Sequence, residues 1–237
     1  MTGTGPAPAQ PGPPRAGVFF DARRGVYYAR PVLRGWLHVV WFAASVVAGP
    51  LLLAGAHGAM RIAAGAIYAT SVSALFGVSA LYHRGNWSGA GRRRMQRLDH
   101  MMIFFLIAGT ATPVLLASPG AFGLACLIVV WALAVTAAAA RLMWMSAPEL
   151  LVGGIFVGLG WVAGLALPYV WIHAGAAPAA LLLAGGLLYT AGAVCYRRRR
   201  PDPCPSVFGY HEVFHVLVIA AAALHYAVIA FAVLPRG

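Results

Sequence analysis

Seven apolar runs, each long enough to cross a lipid bilayer as a helix, leave this chain little choice of architecture. They fall at about 36–56, 61–83, 98–117, 121–140, 149–171, 178–196 and 210–234. A helix rising ~1.5 Å per residue needs roughly 20 apolar residues to span the hydrocarbon layer. Inside that layer every backbone N–H and C=O must be satisfied by the chain itself, which helices do segment by segment. Composition agrees, with 61% hydrophobic residues, 9% charged and a mean hydropathy of +0.79, where about a quarter charged is usual for soluble domains. The chain reads as an all-α polytopic membrane protein, a bundle of seven transmembrane helices.

Charge tests the number of spans. All seventeen basic residues are arginines, against five acids, for a net charge of +12. An excess of that size can signal nucleic acid, but here the arginines sit in short gaps between apolar runs, where charge sets orientation. Up to Arg34 there are five, the 84–97 gap holds five, Arg141 is one and Arg197 to Arg200 are four, which leaves only Arg61 and Arg236 for the opposite side. Because arginines favour the cytoplasmic side, this alternation predicts a cytoplasmic N-terminus and an outside C-terminus.

Residues 1–17, rich in Pro and Gly without an apolar core, are expected to be a disordered tail and not a cleaved signal peptide, so secretion is not expected. Residues 18–35 form an Arg-bearing, amphipathic cytoplasmic lead-in, and 36–234 the membrane domain. Cys126, Cys195 and Cys204 form no CxxC and read as packing residues or free thiols.

Several conspicuous residues have structural explanations. Ser146 and Glu149 have capping-box spacing around Pro148. Gly154-x-x-x-Gly158 and Gly160-x-x-x-Gly164 offer small faces for close helix approach. Pro113 should kink the third span, with Thr110 and Thr112 able to satisfy freed carbonyls. His57 and His173 belong to outer connections.

The last span opens with His211-Glu212-Val213-Phe214-His215. Two histidines four apart share a helix face about one turn, ~6 Å, apart, a spacing at which both can bind one metal ion. The predicted topology brings the end of the second span, Ser79 to His83, and the start of the third, Asp99, to the same depth. Ionisable groups inside a membrane are functional candidates by default. His83, His211 and His215 are therefore candidate ligands of a zinc ion, Asp99 a candidate acid or base for a water beside it, and Ser79, one turn from His83, a residue that can point into the same site. His100, about 100° round the helix from Asp99, is set aside as interfacial or supporting, His38 is a candidate hydrogen-bond partner for the ligating rings, and His225, roughly 15 Å beyond His215, is too far for the same ion and can line a cavity above it.

Ser79-x-x-x-His83, then Arg97-Leu98-Asp99-His100-Met101-Met102-Ile103 with Ile107-Ala108-Gly109-Thr110-Ala111-Thr112-Pro113, then His211-x-x-x-His215, together resemble the bacterial haemolysin III branch of the progestin and adipoQ receptor family, which includes the adiponectin receptors. The resemblance covers roughly residues 30–234. It implies a seven-helix protein of the bacterial plasma membrane with a cytoplasmic N-terminus and a zinc ion near the inner face. His83, His211 and His215 match the metal ligands, Asp99 the acid that holds the water at zinc, and Ser79 a serine near that water. The constellation is also similar to that of alkaline ceramidases, which suggests hydrolysis of a lipid amide. One departure is clear: many members begin the first helix with a Glu-and-Asn motif, where this chain has Arg30-Pro31-Val32-Leu33-Arg34-Gly35-Trp36-Leu37-His38.

Three function classes follow. The first is a zinc-dependent hydrolase of a lipid-like amide or ester, serving membrane-lipid homeostasis, with membrane lipids as its partners. The second is an intramembrane zinc protease, because His211-Glu212-x-x-His215 spells HExxH. The third is a non-catalytic zinc staple in a receptor or cytolytic membrane protein.

Overall fold

A computed structural model describes residues 18–21, 26–29, 31–118, 120–144 and 146–235. The expected tail, 1–17, and the C-terminal Arg236 lie outside the described residues. Two short strands, β1 (Val18–Asp21) and β2 (Val26–Ala29), pair antiparallel with Val18 opposite Ala29. The rest is helical: α1 (Trp36–Ala54), α2 (Ala59–Arg84), α3 (Gly89–Ala117), α4 (Gly120–Met143), α5 (Glu149–Ala163), α6 (Leu167–Ala174), α7 (Ala176–Arg198) and α8 (Tyr210–Val228). A turn of 3₁₀ helix, Gly164–Ala166, joins α5 to α6 into one span, and a π-helical turn, Ile229–Val233, extends α8. Seven spans result among the described residues, each long and apolar enough to cross a membrane.

Two boundaries differ from those read in the sequence, for local reasons. The third span begins nine residues early, because the Ser88 hydroxyl caps α3 by accepting from Gly91 N at 3.2 Å. At 29 residues α3 is about 43 Å long, more than the hydrocarbon thickness, so Arg92, Arg93, Arg94 and Arg97 ride on helix that can project beyond it. Where the sequence suggested a cap at Ser146, α5 starts at Glu149 with Pro148 in the N-cap position.

Packing separates a central trio from an outer set. α2, α3 and α8 are the most buried spans, while the α5–α6 span has only 11% of its apolar window buried. The glycine faces expected to pack on α5 do not: a Cβ at Gly154, Gly158 or Gly160 would meet nothing within 4 Å. Close approach occurs on α3 instead, where a Cβ at Gly109 would collide with the Ser71 hydroxyl of α2. Beside Pro113, the Thr112 hydroxyl donates to Ala108 O at 2.7 Å and accepts from Trp131 Nε1 at 3.1 Å. α8 is tied to its neighbours by Tyr226 OH donating to Ala48 O of α1 at 2.8 Å.

Arginine placement follows the helix ends. Among the described residues, Arg34, Arg84, Arg92 to Arg94, Arg97, Arg141 and Arg197 to Arg200 gather at the end where α7 finishes and α8 begins, and Arg61 is at the other.

Candidate metal centre

At that arginine-rich end α2 finishes beside the start of α8. His83 lies in the last turn of α2, and His211 and His215 occupy the first two turns of α8. One nitrogen from each of the three rings lies within 4.8 Å of the other two. Nε2 of His211 is 3.3 Å from Nε2 of His83. Two nitrogens each ~2.05 Å from a tetrahedral zinc would be about 3.3 Å apart, so this pair already has the separation of a shared metal edge. His83 and His215 are buried, and Nδ1 of His215 has no hydrogen-bond partner. Burying a polar nitrogen without a partner is costly, so a three-imidazole donor set at this spacing fits a divalent cation with an affinity for nitrogen.

Ser79 is buried one turn before His83 and lies next to the Asp99 carboxylate of α3. The structure thus brings all five candidates to one neighbourhood: three histidines clustered, and the Ser79–Asp99 pair a helical turn along α2.

The segment before α1, which the sequence left unexplained, turns out to frame the site. Val32 N and Leu33 N donate to Ser206 O and Val207 O at 3.0 and 3.1 Å, tying this segment to the loop that leads into α8. Arg34 then pairs with Glu212 through its Nε, and the other carboxylate oxygen of Glu212 accepts from Gly209 N at 2.9 Å. Glu212 is therefore fully buried, not at the interface where its position in the first turn suggests, because Arg34 folds over it. Gly35 follows with φ +83°, and a Cβ there would come within 2.6 Å of the His83 Cβ. Only glycine meets both demands. In sequence, Gly35 carried no visible signal beyond its residue type, since the surface it touches belongs to α2.

His38 departs from its expected role. Neither of its nitrogens has a hydrogen-bond partner, and its ring stacks on His215 with centroids 3.7 Å apart at 17°, with Phe76 edge-on at 5.0 Å. It packs against a candidate ligand without donating to it. His100 turns to α4, where Arg141 Nη2 lies 3.0 Å from its Nδ1. His225 faces α7: its Nε2 is 3.1 Å from Leu182 O, and its ring fills the notch left by Gly185.

Comparison with known proteins meets this geometry. The family described as Haemolysin-III related matches residues 26–226. The chain is similar to a Hemolysin-3 of Bacillus cereus, 28% identical over 189 residues that cover 79% of this chain and 83% of that one. It is also similar to a Hemolysin-3 homolog of Bacillus subtilis (strain 168), 28% identical over 130 residues, or 54% of this chain; that match spans 58% of the relative's own length. A match that runs from the strand before the Arg34–Gly35 segment to the far end of α8 takes in every helix that builds the histidine cluster, and the chain is accordingly a multi-pass bacterial membrane protein that belongs to the Haemolysin-III related family.

Proposed function

We propose that this protein is a zinc-dependent hydrolase of a lipid-like amide or ester, with its site near the cytoplasmic face of the membrane. The observation that carries this reading is the convergence of His83, His211 and His215 one helical turn from Ser79 and the Asp99 carboxylate beside it. His83, His211 and His215 would hold the zinc ion, which when bound would supply a Lewis acid able to polarise a carbonyl and lower the pKa of water. Asp99 orients the attacking water and takes its proton, then returns a proton to the departing amine or alcohol as the carbonyl bond to it breaks. In this reading Ser79, beside it, orients the Asp99 carboxylate for both transfers.

A protease using Glu212 as its base is disfavoured, since one oxygen of that carboxylate is engaged by Arg34 and the other by Gly209 N. A metal that only staples α2 to α8 is the second reading, favoured by the burial of His83 and His215. One assay separates all three. Purified wild-type, Asp99→Asn and Glu212→Gln proteins are compared for zinc content and for fatty-acid release from lipid amides, with a peptide as control. Asp99→Asn should keep zinc and lose turnover by a factor on the order of 10² to 10⁴, while Glu212→Gln keeps both. Peptide cleavage that dies only with Glu212→Gln would overturn the choice of base, and absence of wild-type turnover would favour the staple. The cytoplasmic placement is tested with reporters, one fused after Gly237 and one inserted between Arg200 and Pro205, which should report opposite sides.

A further inference from the structure

A groove of about 1360 Å³ lies at the same end of the bundle as the histidines, between the last turns of α7 and the flank of α8. Arg197, Arg198, Arg199 and Arg200 line its mouth, and Val194 and Leu217 form part of its apolar wall. Along α7 the lining residues Val194 and Arg198 are four apart, so they share a face. The groove is therefore graded, with charge at its open end and hydrocarbon extending from there toward the middle of the bundle.

Arginines at a helix C-terminus already complement the helix dipole and hold the end at the interface. That explains Arg197 and Arg198, which sit in the last turn of α7. It does not explain why two more arginines are turned onto the same cavity. Arg199 adopts φ 52° and ends the helix, and Arg200 N donates back to Cys195 O at 3.2 Å, which holds the chain close to the groove. Asp202, the acid at the rim, accepts from Tyr210 N at 2.9 Å in starting α8. The mouth keeps a strong positive excess. Arg92, Arg93 and Arg94 on α3 are as dense a cluster but do not line this groove, and the Arg92 guanidinium lies 5.6 Å over the Tyr82 ring.

We propose that this groove binds the phosphate headgroup of an anionic membrane lipid. The guanidinium groups of Arg197, Arg198 and Arg200, all exposed, meet the phosphate, and the first acyl carbons lie against Val194 and Leu217. Guanidinium forks pair with phosphate oxygens in two parallel hydrogen bonds, and a basic pocket between helices on the cytoplasmic side is a recurrent headgroup site. The source is the membrane, because the apolar wall continues where a free phosphate has nothing to touch. None of the groove's lining residues is a proposed metal ligand, so the site stands whether or not zinc binds.

The test titrates the full-length protein, in a zwitterionic detergent, with dioleoyl phosphatidylglycerol or dioleoyl phosphatidylcholine and counts retained lipid by native mass spectrometry. One phosphatidylglycerol should be held at concentrations where phosphatidylcholine is not. Combining Arg197→Gln, Arg198→Gln and Arg200→Gln should weaken it by on the order of 10², at about a fivefold step per arginine near the surface. Leu217→Trp, which crowds the apolar wall with every arginine in place, should weaken phosphatidylglycerol but not inorganic phosphate. His83→Ala should leave lipid retention unchanged, so this proposal and the zinc reading fail separately. Equal loss in the charge-matched Arg92→Gln, Arg93→Gln, Arg94→Gln protein, or phosphatidylcholine held as tightly as phosphatidylglycerol, would overturn the proposal.

Discussion

The two ends of α8 carry the same residue type in opposite circumstances. At its start His211 and His215 face His83 across the α2 seam, three imidazoles with nitrogens turned toward one another. Two turns and more beyond, His225 is placed by α7: a carbonyl, Leu182 O, takes its Nε2, and the absent side chain of Gly185 makes its room. A lone imidazole given a carbonyl is a packing residue with a polar tip. Three imidazoles given each other are a donor set, because neutral rings gain little from hydrogen-bonding one another compared with sharing a cation. The number of rings at one depth therefore separates a donor set from a packing residue.

The largest expected effect strikes the donor set. Wild-type protein should carry about one zinc per chain, and His83→Ala, His211→Ala and His215→Ala should each remove most of it, as two ligands make a poor site. Elemental analysis of the purified variants checks this; unchanged zinc in all three would erase the difference between the two ends of α8. Gly35→Ala comes next. It combines a left-handed backbone with a 2.6 Å approach to the His83 Cβ, and should cost about 2–4 kcal/mol and loosen the metal. Gly120→Ala, with φ +75° but open space around it, should show only the backbone part, about 1–2 kcal/mol, with zinc intact. Denaturation and metal-competition titrations on the pair isolate the contact with His83. The smallest effect belongs to the far end: His225→Ala should leave zinc in place and cost about 1–3 kcal/mol for the lost bond to Leu182 O and the space opened beside Gly185. Loss of zinc in His225→Ala would join the two ends into one unit.

Legibility from sequence followed the range of the interaction. HxxxH and Ser79-x-x-x-His83 are visible because a helix repeats every 3.6 residues, so a face can be read within one segment. The start of α3 was missed because Ser88, a short-range cap, lies ten residues before the apolar run that marks the span. The open glycine faces of α5 were misread for the opposite reason. A small-residue stripe states that a neighbour can approach, and only packing decides whether one does. His38 was noticed as a histidine near the site, but stacking in place of hydrogen bonding is a matter of ring orientation, which no spacing encodes.

What the sequence by itself determined is the class of object: seven apolar helices, an arginine-rich end, and histidines, a serine and an aspartate that helical periodicity and chain reversal bring to that end. These follow from one-dimensional rules, since a bilayer forces the chain into helices of known length. Tertiary structure alone decided the frame around the cluster. Arg34 reaches Glu212 across 178 positions of chain, Gly35 presses on His83, and His38 stacks on His215, so three residues within one five-residue stretch reach the two helices of the donor set. No local pattern announces such contacts, because their partners are chosen by how α1, α2 and α8 pack, and in a membrane that packing rests on close fit and buried polar pairing more than on the hydrophobic pattern the sequence displays.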